Sequence, residues 1–365
     1  MAKLNTNHQI NTNHHSQPNK HFVDKRLLAL MLIAYVALLI GCTSIGSDKV
    51  NADYLTGTGT LQLSFDSQYP PSTIYSQDQS AIVITAKNSG GYTISSGRLI
   101  ITTDDSVLYL GTKQQFLDGV RPSSSVALVR GSNYPLYGKS VMTPDGDSLP
   151  FSFNVYALPL PQGSQQRSAT ITASACFTYG TFQHASVCID FDPYSTTTSS
   201  KIKQVCKSAD VSMASGGGPV NVGTVQTRID ALGNGDIVPS FSFSISAPSD
   251  LKFFAIGDEQ QFCNANPIPS AAHDTIYFAA SLSDMSLDCS PLVLVPGYRN
   301  TFIVPLINNA AKITCTSTLP ISNNGGYGGG NNGPIGNYLA PLTVNMTYGV
   351  VTTASRTVTV TSLIS

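Results

Sequence analysis

Tryptophan is absent from the 365 residues, and Glu259 is the only glutamate; the other acidic side chains are aspartates. Charged residues make up 11% of the chain, under half the roughly 25% of an average soluble domain. With 20 basic and 21 acidic residues the formal net charge is −1, which leaves no electrostatic footprint for nucleic acid. So little Glu and Lys also excludes long surface helices, whose outer faces need good helix formers. Histidine is scarce where chemistry would use it. His8, His14, His15 and His21 lie in the first 26 residues, leaving only His184 and His273 beyond them. What is present is 41% hydrophobic residues, 30 Gly and 21 Pro. That is too apolar for disorder throughout, and the length suggests about two domains.

Residues 1–26 read as a disordered Asn/Thr/His-rich leader ending on Lys25-Arg26. A His-rich tail can hold metal, but a low-complexity polar leader explains the composition with fewer assumptions. The run Leu27 to Ile40 carries no charge. As a helix it spans about 21 Å, short of the roughly 30 Å hydrocarbon core, and extending it to Ile45 gives about 28 Å. Its length and basic flank suit a signal-peptide core. Leu39-Ile40-Gly41-Cys42 resembles the bacterial lipobox, where cleavage before the cysteine frees it for lipid. Two readings of residues 27–45 therefore stand: Cys42 lipidated after cleavage, with several acyl chains giving stable anchoring, or an uncleaved transmembrane anchor. Both place the chain from Thr43 outward at the cell exterior, because Lys25 and Arg26 hold the preceding flank inside.

With Cys42 assigned to the anchor, six cysteines remain: Cys176, Cys188, Cys206, Cys263, Cys289 and Cys315. An even number in an exported region predicts disulfides. Cys176 and Cys188 lie about equally far from a midpoint near Phe182, which suggests a hairpin with the two cysteines facing each other. Cys289 and Cys315 bracket another strand pair, and Cys206 is left with Cys263. Zinc is the competing use, but no CxxC pair is present and His184 and His273 lack ligand spacing.

A Ser/Gly/Asp linker covers 46–55. Beyond it the chain alternates apolar and polar residues in short runs, the signature of strands. In the first block these are Leu61–Phe65, Ala81–Lys87, Arg98–Asp104, Phe151–Ala157, Ala169–Thr178 and Ala185–Asp190. In the second they are Val222–Ala231, Pro239–Ala247, Thr275–Leu282, Thr301–Ile307, Ala340–Gly349 and Ala354–Thr361. Only Lys113–Leu117 looks able to form a helical turn. Asn88-Ser89-Gly90-Gly91 and Gly233-Asn234-Gly235-Asp236 are turn chemistry. The expectation is an all-β chain of two tandem immunoglobulin-like antiparallel sandwiches, 56–204 and 205–365. A Gly/Asn-rich loop at 323–337 displays Tyr327 and reads as a tolerated insertion.

Tyr54-Leu55-Thr56-Gly57-Thr58-Gly59, Pro70–Tyr75 (PPSTIY) and Ala86–Ile94 (AKNSGGYTI) resemble a largely unnamed family of archaeal surface proteins with immunoglobulin-like domains. Ala175–Ser195, followed by Val205-Cys206, is similar to that family's cysteine-bearing segment. Tyr338–Val350 (YLAPLTVNMTYGV) is similar to its closing strands. The resemblance implies a membrane-tethered, adhesion-type protein of the outer face and brings no catalytic residues with it. An archaeal source would make the bacterial lipidation route at Cys42 less secure while leaving the external address.

A search for chemistry finds little. No G-x-S-x-G elbow is present. His273 adjoins Asp274, an ordinary neighbour pair, and His184 is expected at a solvated turn. Glycoside hydrolysis needs two facing carboxylates; the clustered candidates are Asp104/Asp105, Asp145/Asp147, Asp190/Asp192 and Asp230/Asn234/Asp236. The same groups could take Ca²⁺, yet each is also normal turn chemistry. Gly216-Gly217-Gly218-Pro219 lacks the lysine and helix of a phosphate loop. Asn345-Met346-Thr347 is a glycosylation sequon within an expected strand. No metal, cofactor or catalytic residue is therefore assigned. The leading expectation is a non-enzymatic role in adhesion, envelope structure or partner binding, with envelope proteins or glycans as partners. An envelope-polymer hydrolase or accessory subunit using the Asp clusters is the alternative. A solute-capture lipoprotein would need α/β lobes that this strand-rich chain does not supply.

Overall fold

The computed structural model describes residues 57–121, 123–128, 135–194, 205–232, 235–258, 262–263, 274–322 and 336–363. The leader at 1–26, the 27–45 anchor with Cys42, the linker at 46–55 and almost all of the 323–337 loop lie outside them. No helix among the described residues is long and apolar enough to cross a membrane.

The first half of the chain gives β1 (Leu61–Phe65), β2 (Thr73–Tyr75), β3 (Gln79–Asn88), β4 (Gly97–Thr102), β5 (Leu108–Leu110), α1 (Lys113–Leu117), β6 (Ser125–Ala127), β7 (Ser148–Ala157) and β8 (Gln166–Asp190). The second half gives β9 (Val211–Ser212), β10 (Asn221–Ala231), β11 (Ile237–Ser246), β12 (Lys252–Phe254), β13 (Thr275–Leu282), β14 (Met285–Asp288), β15 (Val293–Leu294), β16 (Phe302–Pro305), β17 (Ala310–Ser317) and β18 (Asn337–Thr361). The all-β expectation holds. The helical turn falls at Lys113–Leu117 as expected, closed by a capping box between Thr112 and Gln115.

Sheet I has the order β1-β3-β7-β5. Sheet II is built on β8 and β18, which pair antiparallel without a register break from Gln166↔Thr361 to Asp190↔Asn337. It adds β4 and β6 beyond β8, and β13, β16 and β15 beyond β18. Sheet III has the order β9-β10-β11-β17. The short β14 joins sheets II and III, pairing with β13 at Leu282↔Met285 and with β17 at Leu287↔Ser317.

The hairpin expected near Phe182 does not exist. Ala169–Thr178 and Ala185–Asp190 are parts of one 25-residue strand, and Ala340–Gly349 and Ala354–Thr361 likewise merge into β18. Along β8 the odd-numbered side chains face inward, from Ala169 through Phe177 and Tyr179 to Val187 and Ile189. Sheet I packs on one half of this face and sheet III on the other, within one apolar core. Residues Val50–Ser365 accordingly form one compact unit: β8 lies before the 204/205 position expected to divide two sandwiches and β18 after it, yet the two pair along their whole length.

The long strand also corrects two disulfides. Cys176 and Cys188 share one strand, and at roughly 3.3 Å per residue they stand about 40 Å apart. Cys176 bonds Cys263 instead, and Cys188 bonds Cys206. Cys289 bonds Cys315 as expected. The Cys176–Cys263 bond sits on the outer face of sheet II in a small apolar cluster with Phe254, Phe262 and Val351.

Candidate functional site

Five of the clustered aspartates are engaged in local bonds. Asp104 accepts bonds from the Ser106 hydroxyl at 2.7 Å and the Ser106 N–H at 3.0 Å, and these hold its carboxyl below the usual carboxylate value. Asp105 accepts from the Thr103 hydroxyl, Asp147 from the Ser148 N–H, and Asp190 from the Asp192 N–H. Asp230 pairs with Arg228 at 3.0 Å. Each carboxylate serves its own turn or strand end. Among the described residues no three His, Cys, Asp or Glu side chains gather as a metal site. His184 lies mid-strand and exposed on β8, not at a turn, with its ring 6.5 Å from Phe182. His273, Glu259 and Asn234 lie outside the described residues; Asp274 accepts a bond from the Phe253 N–H.

Between the halves of the core runs a buried polar seam that the sequence reading did not find. The Thr181 and Tyr348 hydroxyls are 2.6 Å apart, and the Val220 N–H donates to the Tyr348 oxygen. Tyr179 donates its phenol proton to Asn88 Oδ1 and accepts from the Tyr92 N–H. Gln183, fully buried, bonds Ala214, Asn221 and Val222. Two glycine segments close the seam, where the Gly91 N–H donates to the Gly217 carbonyl at 2.7 Å. Gly216–Pro219 is thus a packing element of the core. Desolvation pushes the phenols of Tyr179 and Tyr348 well above their ordinary 10.0, because a buried phenolate would lose its hydration. Since the folded values are raised, the stability these groups add is intact below about pH 10, the unfolded value. It is lost as pH rises further. Alkaline titration followed by tyrosine absorbance should show two phenols ionising only with loss of β-sheet circular dichroism; early ionisation of all phenols in the folded state would contradict the seam.

Among the described residues, two surface cavities stand out. One, of about 650 Å³, lies between β4 and β5 and is lined by Asp105, Tyr109, Phe116 and Arg121. Its aromatic wall is a chain of contacts in which Phe116 packs on Tyr109 and Tyr156 at 5.3 and 5.5 Å.

The second, of about 520 Å³, follows β1 from Thr58 to Ser64 and faces Asp250, Thr352 and Thr353. It is the better candidate because main-chain groups converge on it. The Ser89 N–H bonds the Thr60 carbonyl and the Asp66 N–H bonds the Val83 carbonyl. In the β1–β3 register this puts the ladder bonds on the even-numbered residues of β1. The N–H and C=O of Leu61, Leu63 and Phe65 therefore point away from β3, and no described strand pairs with them. Across the groove, β18 pairs on this side with β12 as far as Val351 and with β2 from Thr359. The stretch between them is a second open edge. Arg356 bridges one end, its guanidinium donating to the carbonyls of Asp66 and Ser67. At the other end the buried Thr60 hydroxyl has no hydrogen-bond partner among the described residues. Sequence alternation located β1 and β18; which edges stay open depends on partners it does not specify.

No family model matches the chain, and no curated protein matches it. Among solved structures, similarity is found to the native conformation of Escherichia coli alpha-2-macroglobulin, at 9% identity over 84% of this chain, with a TM-score of 0.14. The chain spans 17% of that protein's length. Similarity is also found to the Enterococcus faecalis MSCRAMM ACE, described as binding its ligands by the collagen Hug model. There the identity is 8% over 84% of this chain and 97% of that one, with a TM-score of 0.13. Superpositions at these scores carry no argument.

Proposed function

We propose that this is a membrane-tethered protein of the cell exterior that works by binding rather than by catalysis, and that its partner is an extended polypeptide segment added at the open edge of β1. The observation that carries the reading is the pair of unpaired strand edges facing each other across one groove. An unpaired edge is a template for strand addition, in which main-chain bonds give affinity. The groove walls suit an extended chain: threonine hydroxyls, with Lys87 and Asp250 as one charge of each sign. Three disulfides support an oxidising compartment. The immunoglobulin-like character and the anchor at 27–45, with or without lipid on Cys42, belong to the same reading. An adhesion or envelope-structural role follows if the added segment comes from a neighbouring envelope protein.

The test uses the full chain and its own cell envelope. Leu63→Pro removes an N–H that points into the groove and leaves the ladder to β3 in place. Cross-linked capture of envelope protein should fall at least tenfold in this variant, while the melting temperature shifts by only a few degrees. In the wild-type complex the amides of Leu61, Leu63 and Phe65 should exchange more slowly than in the free protein. Undiminished capture by Leu63→Pro, with edge amides exchanging at the free rate, would sink the proposal.

A further inference from the structure

Asn345-Met346-Thr347 is the sole Asn-X-Ser/Thr triplet in the sequence. It lies in the middle of β18, where the neighbouring Val344 and Met346 are fully buried in the core. Strand alternation therefore turns Asn345 to the opposite face, and it is exposed there. No described residue hydrogen-bonds its side-chain amide. The register sets Asn345 directly beside Phe182 of β8 and Ala279 of β13, at the spacing where cross-strand side chains touch.

Phe182 is the second observation. It is 48% exposed and paired with β18 on one side of β8, and its nearest neighbours on that face, Gly180, His184, Thr343 and Ala279, are small or polar, with the Tyr92 ring beyond, over Gly180. A half-exposed aromatic ring on a sheet face has apolar area that something covering it would remove from solvent.

We propose that Asn345 carries an N-linked oligosaccharide and that its first sugar lies over the Phe182 ring, C–H groups against the aromatic face. The donor is a lipid-linked oligosaccharide acted on by a membrane transferase. The Asn345 amide nitrogen attacks the anomeric carbon, forming the N–C bond. The bond from that carbon to the lipid phosphate oxygen breaks, and the phosphate leaves with the electron pair. The amide gives up one proton to a base of the transferase. No oxidant or reductant is needed. Within the folded sheet β18 is hydrogen-bonded to β8 on one side and β13 on the other, so its backbone cannot bend to present the amide. Transfer therefore precedes the docking of β18. The proposal rests on the exterior address given above, since Asn-linked sugars are added to exported chains.

Peptide mapping of the full chain purified from its own membrane should find the Asn345 peptide heavier by an oligosaccharide. The increment should vanish in Asn345→Gln and in Thr347→Ala and persist in Thr347→Ser. Loss of the sugar should raise binding of a hydrophobic dye, and Phe182→Ser added to Asn345→Gln should reverse the rise. Asn345 recovered unmodified in the wild-type protein overturns the site. Labelling intact cells with a membrane-impermeant reagent then tells whether the exterior address failed with it. Dye binding unchanged by loss of the sugar overturns the cover over Phe182.

Discussion

Replacing Cys176 and Cys263 together by alanine should lower the melting temperature by on the order of 10 °C, more than the loss of either other disulfide. The bond closes a separation of 87 residues, against 18 for Cys188–Cys206 and 26 for Cys289–Cys315. In the chain-entropy account these loops correspond to about 4.6, 3.2 and 3.5 kcal/mol, and each kcal/mol moves the midpoint of a chain of this class by roughly 2–4 °C. Packing widens the gap. Cys263 ties the segment after β12 onto the outer face of sheet II, where Phe254 stacks on Phe262 at 5.0 Å and Val351 lies beneath. A side chain at Gly349 would meet the Phe254 ring at 2.1 Å, so the ring lies flat on the backbone of β18. Without the bond the strap is held, among the described residues, by the three-residue pairing of β12, by the Phe253 N–H to Asp274 and Tyr277 hydroxyl to Ile256 carbonyl bonds, and by its apolar contacts. Thermal unfolding of the three double-alanine variants under non-reducing conditions tests the order. Equal midpoints, or a larger loss for Cys188/Cys206, would contradict it.

How far the fold was legible follows from the same strands. β1, β3, β4, β10 and β13 were readable because apolar and polar residues alternate cleanly between Gly, Asn and Pro turns. β8 was misread at Thr178–His184, where Gly180, Thr181 and Gln183 look like a polar turn. Thr181 and Gln183 are in fact buried, facing the seam in phase with Phe177 and Tyr179. The signal was there: the odd positions hold one face from Ala169 to Ile189 without a phase change, which a hairpin with a turn at Phe182 does not require. Polar side chains at inward positions hid it, because alternation reads polarity rather than direction. Both incorrect disulfides descend from that error. β17 escaped because Ala310, Ala311 and Lys312 weaken its apolar face. Asp104, Asp105, Asp147, Asp190 and Asp230 each bond to a residue within two positions of themselves, the local chemistry that their turn-like sequence settings suggest. The groove at β1 was not legible, because nothing in a strand's own residues says whether its second edge is paired.

The glycines of the seam give the sharpest contrast. A methyl group at Gly90 would stand 2.0 Å from the Tyr179 hydroxyl oxygen and 2.3 Å from the Gly59 carbonyl; one at Gly218 would stand 2.1 Å from Thr181 Oγ1. Neither residue has the positive φ that by itself demands glycine, so the penalty is one of space. Backbone lies on both sides of Gly90, and it yields only by moving the segments that carry Asn88 and Gly217. Overpacking of this kind costs roughly 1–3 kcal/mol. Each buried donor or acceptor pulled from its partner adds about 1–3 kcal/mol, and Tyr179, Asn88 and the Gly91–Gly217 bond all stand in the path. Gly90→Ala and Gly218→Ala should therefore each destabilise by about 3–6 kcal/mol. Gly223→Ala meets nothing within 4 Å and should change stability by under about 1 kcal/mol, because it only narrows the unfolded ensemble. Chemical denaturation of the three variants decides the matter. A Gly90→Ala protein as stable as Gly223→Ala would mean that the two halves of the core are not held by close contact at this seam. Matched losses in Gly90→Ala and Gly218→Ala, from substitutions 128 residues apart in sequence, would mark sheets I and III as meeting through one shared set of hydrogen bonds.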